Sequence, residues 1–161
     1  MTNVYRQLAE PIRDEVETVG RVVSRALVAW KKAQNAPDDQ AYVDSVALNL
    51  HAPYGGVERL FEMIARHVDR QIPDGATWHR DLLRRMARDE GNLRPAVVSE
   101  DTAERLDELR RFRHLVRNVY TIELAPEKMV DLVAELPALW SNLRSELLAF
   151  AEFLEHRAAA E

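Results

Sequence analysis

Apolar residues recur along most of this chain at three- and four-residue intervals, the spacing that gathers side chains on one stripe of a helix. Val16, Val19, Val23, Leu27 and Trp30 form one such run, and Val46, Leu50, Val57, Leu60, Phe61 and Ile64 a second. The second is crossed by Pro53-Tyr54-Gly55-Gly56, where a missing amide donor and two glycines predict a kink or break. Thr77 is placed to cap a third, shorter helix holding Trp78, Leu82, Leu83 and Met86, with Gly91 beyond its end. Ser99 is placed to cap a fourth, with Glu100 and Asp101 in the first turn, where the helix dipole favours negative charge. Pro126 starts a fifth, which runs from Met129 to Leu154 and is expected to kink at Pro137. The breaks fall at Asn35-Ala36-Pro37-Asp38, Ile72-Pro73-Asp74-Gly75, Gly91-Asn92-Leu93-Arg94-Pro95 and Leu124-Ala125-Pro126. No alternating run is long enough for a strand, since Val97 and Val98 stand as a mere pair. The pattern therefore predicts an all-α fold, an antiparallel bundle of about five helices in one domain over residues 1–156, with a frayed tail at 157–161.

Composition narrows the function classes. With 161 residues the chain suffices for one domain with a real core. It has no cysteine, which excludes disulfides, thiolate metal sites and a cysteine nucleophile. Its five histidines show neither Glu-x-x-His nor His-x-x-x-His spacing, so no metal and no cofactor are expected. A net charge of −5 argues against indiscriminate coating of nucleic acid but leaves room for a local basic patch. The first residues lack the pattern of a secretory signal, and no stretch has the length and apolarity of a membrane span. A cytoplasmic location is the expectation.

The fourth helix carries the chemistry. At about 100° per residue, Leu109, Phe112, Leu115, Val116, Val119 and Ile122 fall in one arc and are predicted to face the core. The opposite side gathers Arg110, His114, Arg117 and Thr121, with Arg113 and Tyr120 on one edge and Asn118 on the other. Solvated helix faces ordinarily mix both signs, because like charges one turn apart repel. Here only Asp107 and Glu108, one turn earlier, stand against three arginines. Two readings fit: arginines paired with acids of neighbouring helices, or phosphate recognition, for which the guanidinium fork and its permanent charge are suited. Elsewhere, Tyr54 and Glu58 at i, i+4 read either as a core tyrosine bonded to a buried acid or as a cleft lining. His79 beside Trp78 reads as packing or capping, or as a substrate contact.

The run Phe112-Arg113-His114-Leu115-Val116-Arg117-Asn118-Val119-Tyr120 resembles the signature of HepT-like proteins in the HEPN superfamily, an arginine, a short spacer and a histidine, usually with a tyrosine two positions later. The likeness extends upstream through Ala47–Phe61 and Ile72–Leu83 and spans roughly residues 40–155. Aligning Arg113 and Tyr120 with the motif puts Asn118 where the histidine belongs, with His114 directly beside the arginine. The resemblance implies a HEPN-like bundle and metal-independent RNA cleavage, in which a 2′-hydroxyl attacks its own phosphate. Arg113, His114 and Asn118 are then the catalytic candidates, with Arg110 and Arg117 binding substrate. It also implies a homodimer whose motif helices meet, and a separate minimal nucleotidyltransferase acting as antitoxin and attaching AMP to Tyr120. A carboxamide does not titrate near neutral pH as imidazole does. Either His114 takes the proton-handling role, leaving a toxin of weakened activity, or the site is a non-catalytic RNA- or nucleotide-binding subunit of the nucleotidyltransferase.

Overall fold

A computed structural model of the chain describes residues 2–118, 127 and 129–160, with side chains described at 4–116, 127 and 129–160. Among the described residues five α-helices follow one another: α1 Thr2–Asn35, α2 Gln40–Ile64, α3 Trp78–Met86, α4 Glu100–Asn118 and α5 Val130–Ala160. Among the described residues there is no strand. The expected break at 124–126, the expected start at Pro126, and Val119, Tyr120, Thr121 and Ile122 lie outside the described residues.

Helices α1 and α2, joined by a short connection, form a hairpin, and α5 packs along α1. Their shared seam contains Ile12, Val16, Val19, Val23 and Ala26 of α1, Leu50, Val57, Phe61 and Ile64 of α2, and Leu136, Leu143, Leu147, Phe150 and Leu154 of α5. Each large side chain removed from water here contributes about 1.5–3 kcal/mol, and this burial holds helices whose solvent faces are highly charged. Gly20 lets α5 come close: a β-carbon at that position would stand 3.3 Å from the Trp140 indole. Helix α4 lies against α2 and α3 through Leu106, Leu109 and Phe112.

Four expectations are corrected. Helix α2 continues through Pro53, so the break allowed there does not occur: Pro53, Tyr54, Gly56 and Val57 are all buried and their packing outweighs the lost backbone bond. Thr77 occupies the N-cap of α3, but its hydroxyl donates to Asp81 Oδ2 at 2.9 Å and caps no backbone amide. Leu115, placed in the core by the helical arc, is exposed, and Val116 is half-buried. Finally, α5 continues to Ala160: Arg157 donates to the Asn92 and Leu93 carbonyls, and Ala158 is buried, so the end expected to fray is anchored.

Ser99 does cap α4, accepting the Thr102 amide at 3.1 Å, while Glu146 of α5 accepts from both the Ser99 amide and the Thr102 hydroxyl. Ser99→Ala is expected to lower stability by about 1 kcal/mol, read as a shift in urea midpoint at constant slope. A change of only a few tenths of a kcal/mol would assign the cap to Glu146 instead.

Past Ile64 the chain makes a π-helical turn, Ala65–Asp69, that ends at Arg70 in the left-handed region, φ 57°. A non-glycine residue there is strained, and the turn it completes aims Asp69 inward. Asp69 accepts from Arg85 Nε at 2.9 Å and from Arg94 Nε at 2.6 Å and Nη2 at 2.8 Å. The side chains of Asp69 and Arg94 are fully buried. Arg94 also donates to the carbonyls of Arg85, Arg88 and Pro95, so one ion cluster ties the end of α2, helix α3 and the segment leading to α4. No helix among the described residues is long and apolar enough to cross a membrane.

Candidate functional site

The site is assembled from α2, α3 and α4 around one acid. Glu58 stands on the buried face of α2, one turn beyond Tyr54, its side chain only 8% exposed. A buried carboxylate requires partners, and it has two. His79, second residue of α3, places Nδ1 2.7 Å from Oε2. Arg113 of α4 places Nη1 3.7 Å from Oε1, beyond hydrogen-bond length. The Trp78 ring stacks on His79 with centroids 3.6 Å apart and fixes the plane of the imidazole.

The Arg113 guanidinium lies beside Gly55 of α2: a β-carbon at that glycine would be in ordinary contact with it, 3.7 Å from Nη2 and 3.8 Å from Cζ. Gly56, next along, receives Glu15 of α1, whose carboxylate a β-carbon would strike. The Arg113 side chain is 22% exposed, yet its Nε is buried with no acceptor among the described residues. An unmatched buried donor is costly, so this guanidinium is held in place with hydrogen-bonding capacity unspent.

Tyr54 is 1% exposed and its hydroxyl makes no hydrogen bond among the described residues. Burial first, then the neighbouring Glu58, pushes its ionisation well above the ordinary phenol range, so it stays neutral and takes no part in proton exchange. Tyr54→Phe is expected to leave the unfolding free energy within about 1 kcal/mol of wild type by urea titration, because no satisfied bond is lost; a loss of about 3 kcal/mol would reveal a bond to Glu58 on which the core depends.

On the motif face of α4, the acid one turn earlier on the same helix answers part of the arginine charge. Asp107 accepts from Arg110 Nε at 2.7 Å and from Arg111 Nη2 at 2.7 Å. Burial of Asp107 works against its ionisation, but the bonds from Arg110 and Arg111 prevail and hold the carboxyl below the usual range. Arg110 is thus a half-committed cation, its terminal nitrogens unbonded among the described residues. His114 is exposed one residue from Arg113. Arg117 and Asn118 belong to the last turn of α4, their side chains outside the described set, as is Tyr120 entirely. The structure therefore joins Arg113 to Glu58 and His79, two residues the sequence had offered with other roles.

A further set went unremarked in the sequence: Arg80 and Arg84 of α3 and Arg88 just past its end, spaced four residues apart, are exposed and have no ion-pair partner among the described residues. They line one wall of a groove of about 940 Å³, with Glu100, Glu104, Asp107 and Glu108 of α4 opposite. The i, i+4 spacing was the available signal.

No curated protein and no solved structure matches the chain. A family model described as HepT-like protein matches residues 45–154, a span that begins within α2, closes within α5 and includes Glu58, His79 and Arg113. With the greater part of its length so matched, the chain belongs to the HepT-like family of the HEPN superfamily.

Proposed function

We propose that this protein is a metal-independent RNA endonuclease of the HEPN type, working as the toxin of a toxin–antitoxin pair in the cytoplasm. The observation that carries the reading is Arg113: a partly exposed guanidinium beside Gly55, with a buried Nε lacking an acceptor among the described residues and a long contact to Glu58. Such a cation is preorganised for the charge that develops on a phosphorane, and its fork matches two phosphate oxygens. His114, exposed beside it, exchanges a proton with a reacting oxygen, Asn118 positions substrate by hydrogen bonding, and Arg110 and Arg117 take flanking phosphates. Exposed Leu115 on the same helix supports pairing of two copies through α4, which brings a second set of arginines to the cleft. Tyr120 is the acceptor for AMP from a separate minimal nucleotidyltransferase, where an added phosphate opposes the substrate's own.

Asn118 in the place of the motif histidine favours a second reading, an RNA- or nucleotide-binding subunit that does not cut. Purified protein incubated with single-stranded RNA in EDTA separates the two. Cutting by wild type and none by Arg113→Ala supports the nuclease; intact RNA at high protein concentration, with binding retained, transfers the reading to the binder.

A further inference from the structure

An in-line displacement at phosphorus sets the attacking and leaving oxygens on opposite sides, so one imidazole does not reach both. The α4 motif of this chain supplies one histidine, His114. The position where a second titrating group is expected holds Asn118.

We propose that His79, held by Glu58, is a second catalytic residue of this site and acts as the general base toward the RNA 2′-hydroxyl. The inference rests on the ribonuclease reading given above and extends it to a residue outside the motif helix. Glu58 Oε2 lies 2.7 Å from His79 Nδ1, and a carboxylate there favours the tautomer with the proton on Nδ1 and the lone pair on Nε2. No described residue bonds Nε2, and the side chain is 39% exposed while its carboxylate partner is buried. Trp78 clamps the ring plane at 3.6 Å, so the imidazole is oriented before substrate arrives. The other oxygen of the same carboxylate faces Arg113 at 3.7 Å, so the base and the phosphate-binding cation are spaced by a single functional group. A solely structural His79 would have no need of an open nitrogen on the solvent side or of a shared acid with the motif arginine.

The step balances without a co-reactant. His79 Nε2 takes the 2′-hydroxyl proton as the 2′-oxygen bonds to the adjacent phosphorus. The bond from phosphorus to the 5′-oxygen breaks, and that oxygen receives a proton from His114. A 2′,3′-cyclic phosphate and a 5′-hydroxyl result; His79 then releases its proton to water and His114 regains one, with nothing oxidised or reduced. Glu58 acts through His79 and is a positioning residue.

The test is cleavage of a single-stranded oligoribonucleotide in EDTA, with affinity measured on the 2′-O-methyl version of the same strand. His79→Ala is expected to lose on the order of 10²–10⁴-fold in kcat, with unchanged affinity and with activity partly restored by added imidazole. His79→Asn, which keeps an N–H donor for Glu58 but takes no proton, is expected to remain folded by circular dichroism and to be equally slow. Glu58→Gln is expected to slow cleavage with KM unchanged, and to add nothing to His79→Ala in the double variant, a coupling that loss of packing alone would not produce. Wild-type protein that leaves RNA intact removes the ribonuclease reading and this one together. RNA cut by wild type and by folded His79→Asn at similar rates, but not by Arg113→Ala, overturns the role of His79 alone.

Discussion

Asp69→Ala is expected to destabilise the fold by about 3–5 kcal/mol, the range found when one partner of a buried ion pair is removed. Asp69 and Arg94 are both fully buried, so the variant strands a guanidinium that water does not reach. The three carbonyls that also accept from Arg94 hold the group in place but do not neutralise it. Urea titration gives the loss as a drop in midpoint; a decrease under about 1 kcal/mol would mean that water enters the cluster and solvates Arg94. Replacing both partners with apolar residues of similar volume, as in Asp69→Leu with Arg94→Met, is expected to recover most of the loss, since desolvation then disappears with the charge.

The same cluster imposes a pH signature. Burial tends to raise the Asp69 carboxyl, but the hydrogen bonds from Arg94 and then Arg85 prevail and hold it below its ordinary value. A carboxyl depressed in the folded state adds stability that is complete above its unfolded pKa, about 3.9, and that drains away as the pH falls through the folded value. Wild-type stability therefore falls below about pH 4, and part of that acid slope is expected to vanish in Asp69→Ala. Because the cluster docks α3, whose second residue is His79, its loss is also expected to loosen the proposed base and to lower RNA cleavage at temperatures where the rest of the bundle holds.

Periodicity made the helices legible because burial on one stripe is a property of neighbours in sequence. The buried seams through Val16, Val19 and Val23, and through Leu143, Leu147 and Phe150, follow directly from that spacing. The break allowed at Pro53 does not occur for the complementary reason: its local cost is visible in sequence, whereas the packing of Tyr54 and Val57 that outweighs it is tertiary. The arc on α4 likewise assigned Leu115 to the core on angle alone, and angle does not say where a covering helix ends. Arg113 and His114 were candidates in the sequence because their motif is local. The acid and imidazole that join Arg113 come from α2 and α3, and no spacing rule links Glu58 to His79, 21 residues on. Asp69 and Arg94, 25 residues apart, share that limit, with the added obstacle that the π-helical turn and left-handed Arg70 needed to aim Asp69 leave no glycine to mark them.

Arg113→Ala is expected to lower kcat for RNA cleavage by about 10²–10³-fold, the loss that follows removal of one preorganised donor to developing oxyanion charge. Stability is expected to change by no more than about 1 kcal/mol, for two reasons that oppose each other. The variant takes away a favourable contact to buried Glu58, but that contact is long at 3.7 Å, and the acid keeps His79 at 2.7 Å. It also takes away a buried Nε with no acceptor, which is a relief to the fold. Binding to uncut RNA is expected to weaken modestly, with the slope of log affinity against log salt falling by about 0.7, the share of one phosphate contact on a single strand. Arg113→Lys sharpens the distinction between charge and geometry: an ammonium keeps the charge but offers no planar fork. It is expected to restore the salt slope and little of the rate. Activity retained in Arg113→Ala alongside a large loss of stability would reverse the assignment, making the guanidinium a clasp for Glu58 and leaving the cleavage reading without its cation.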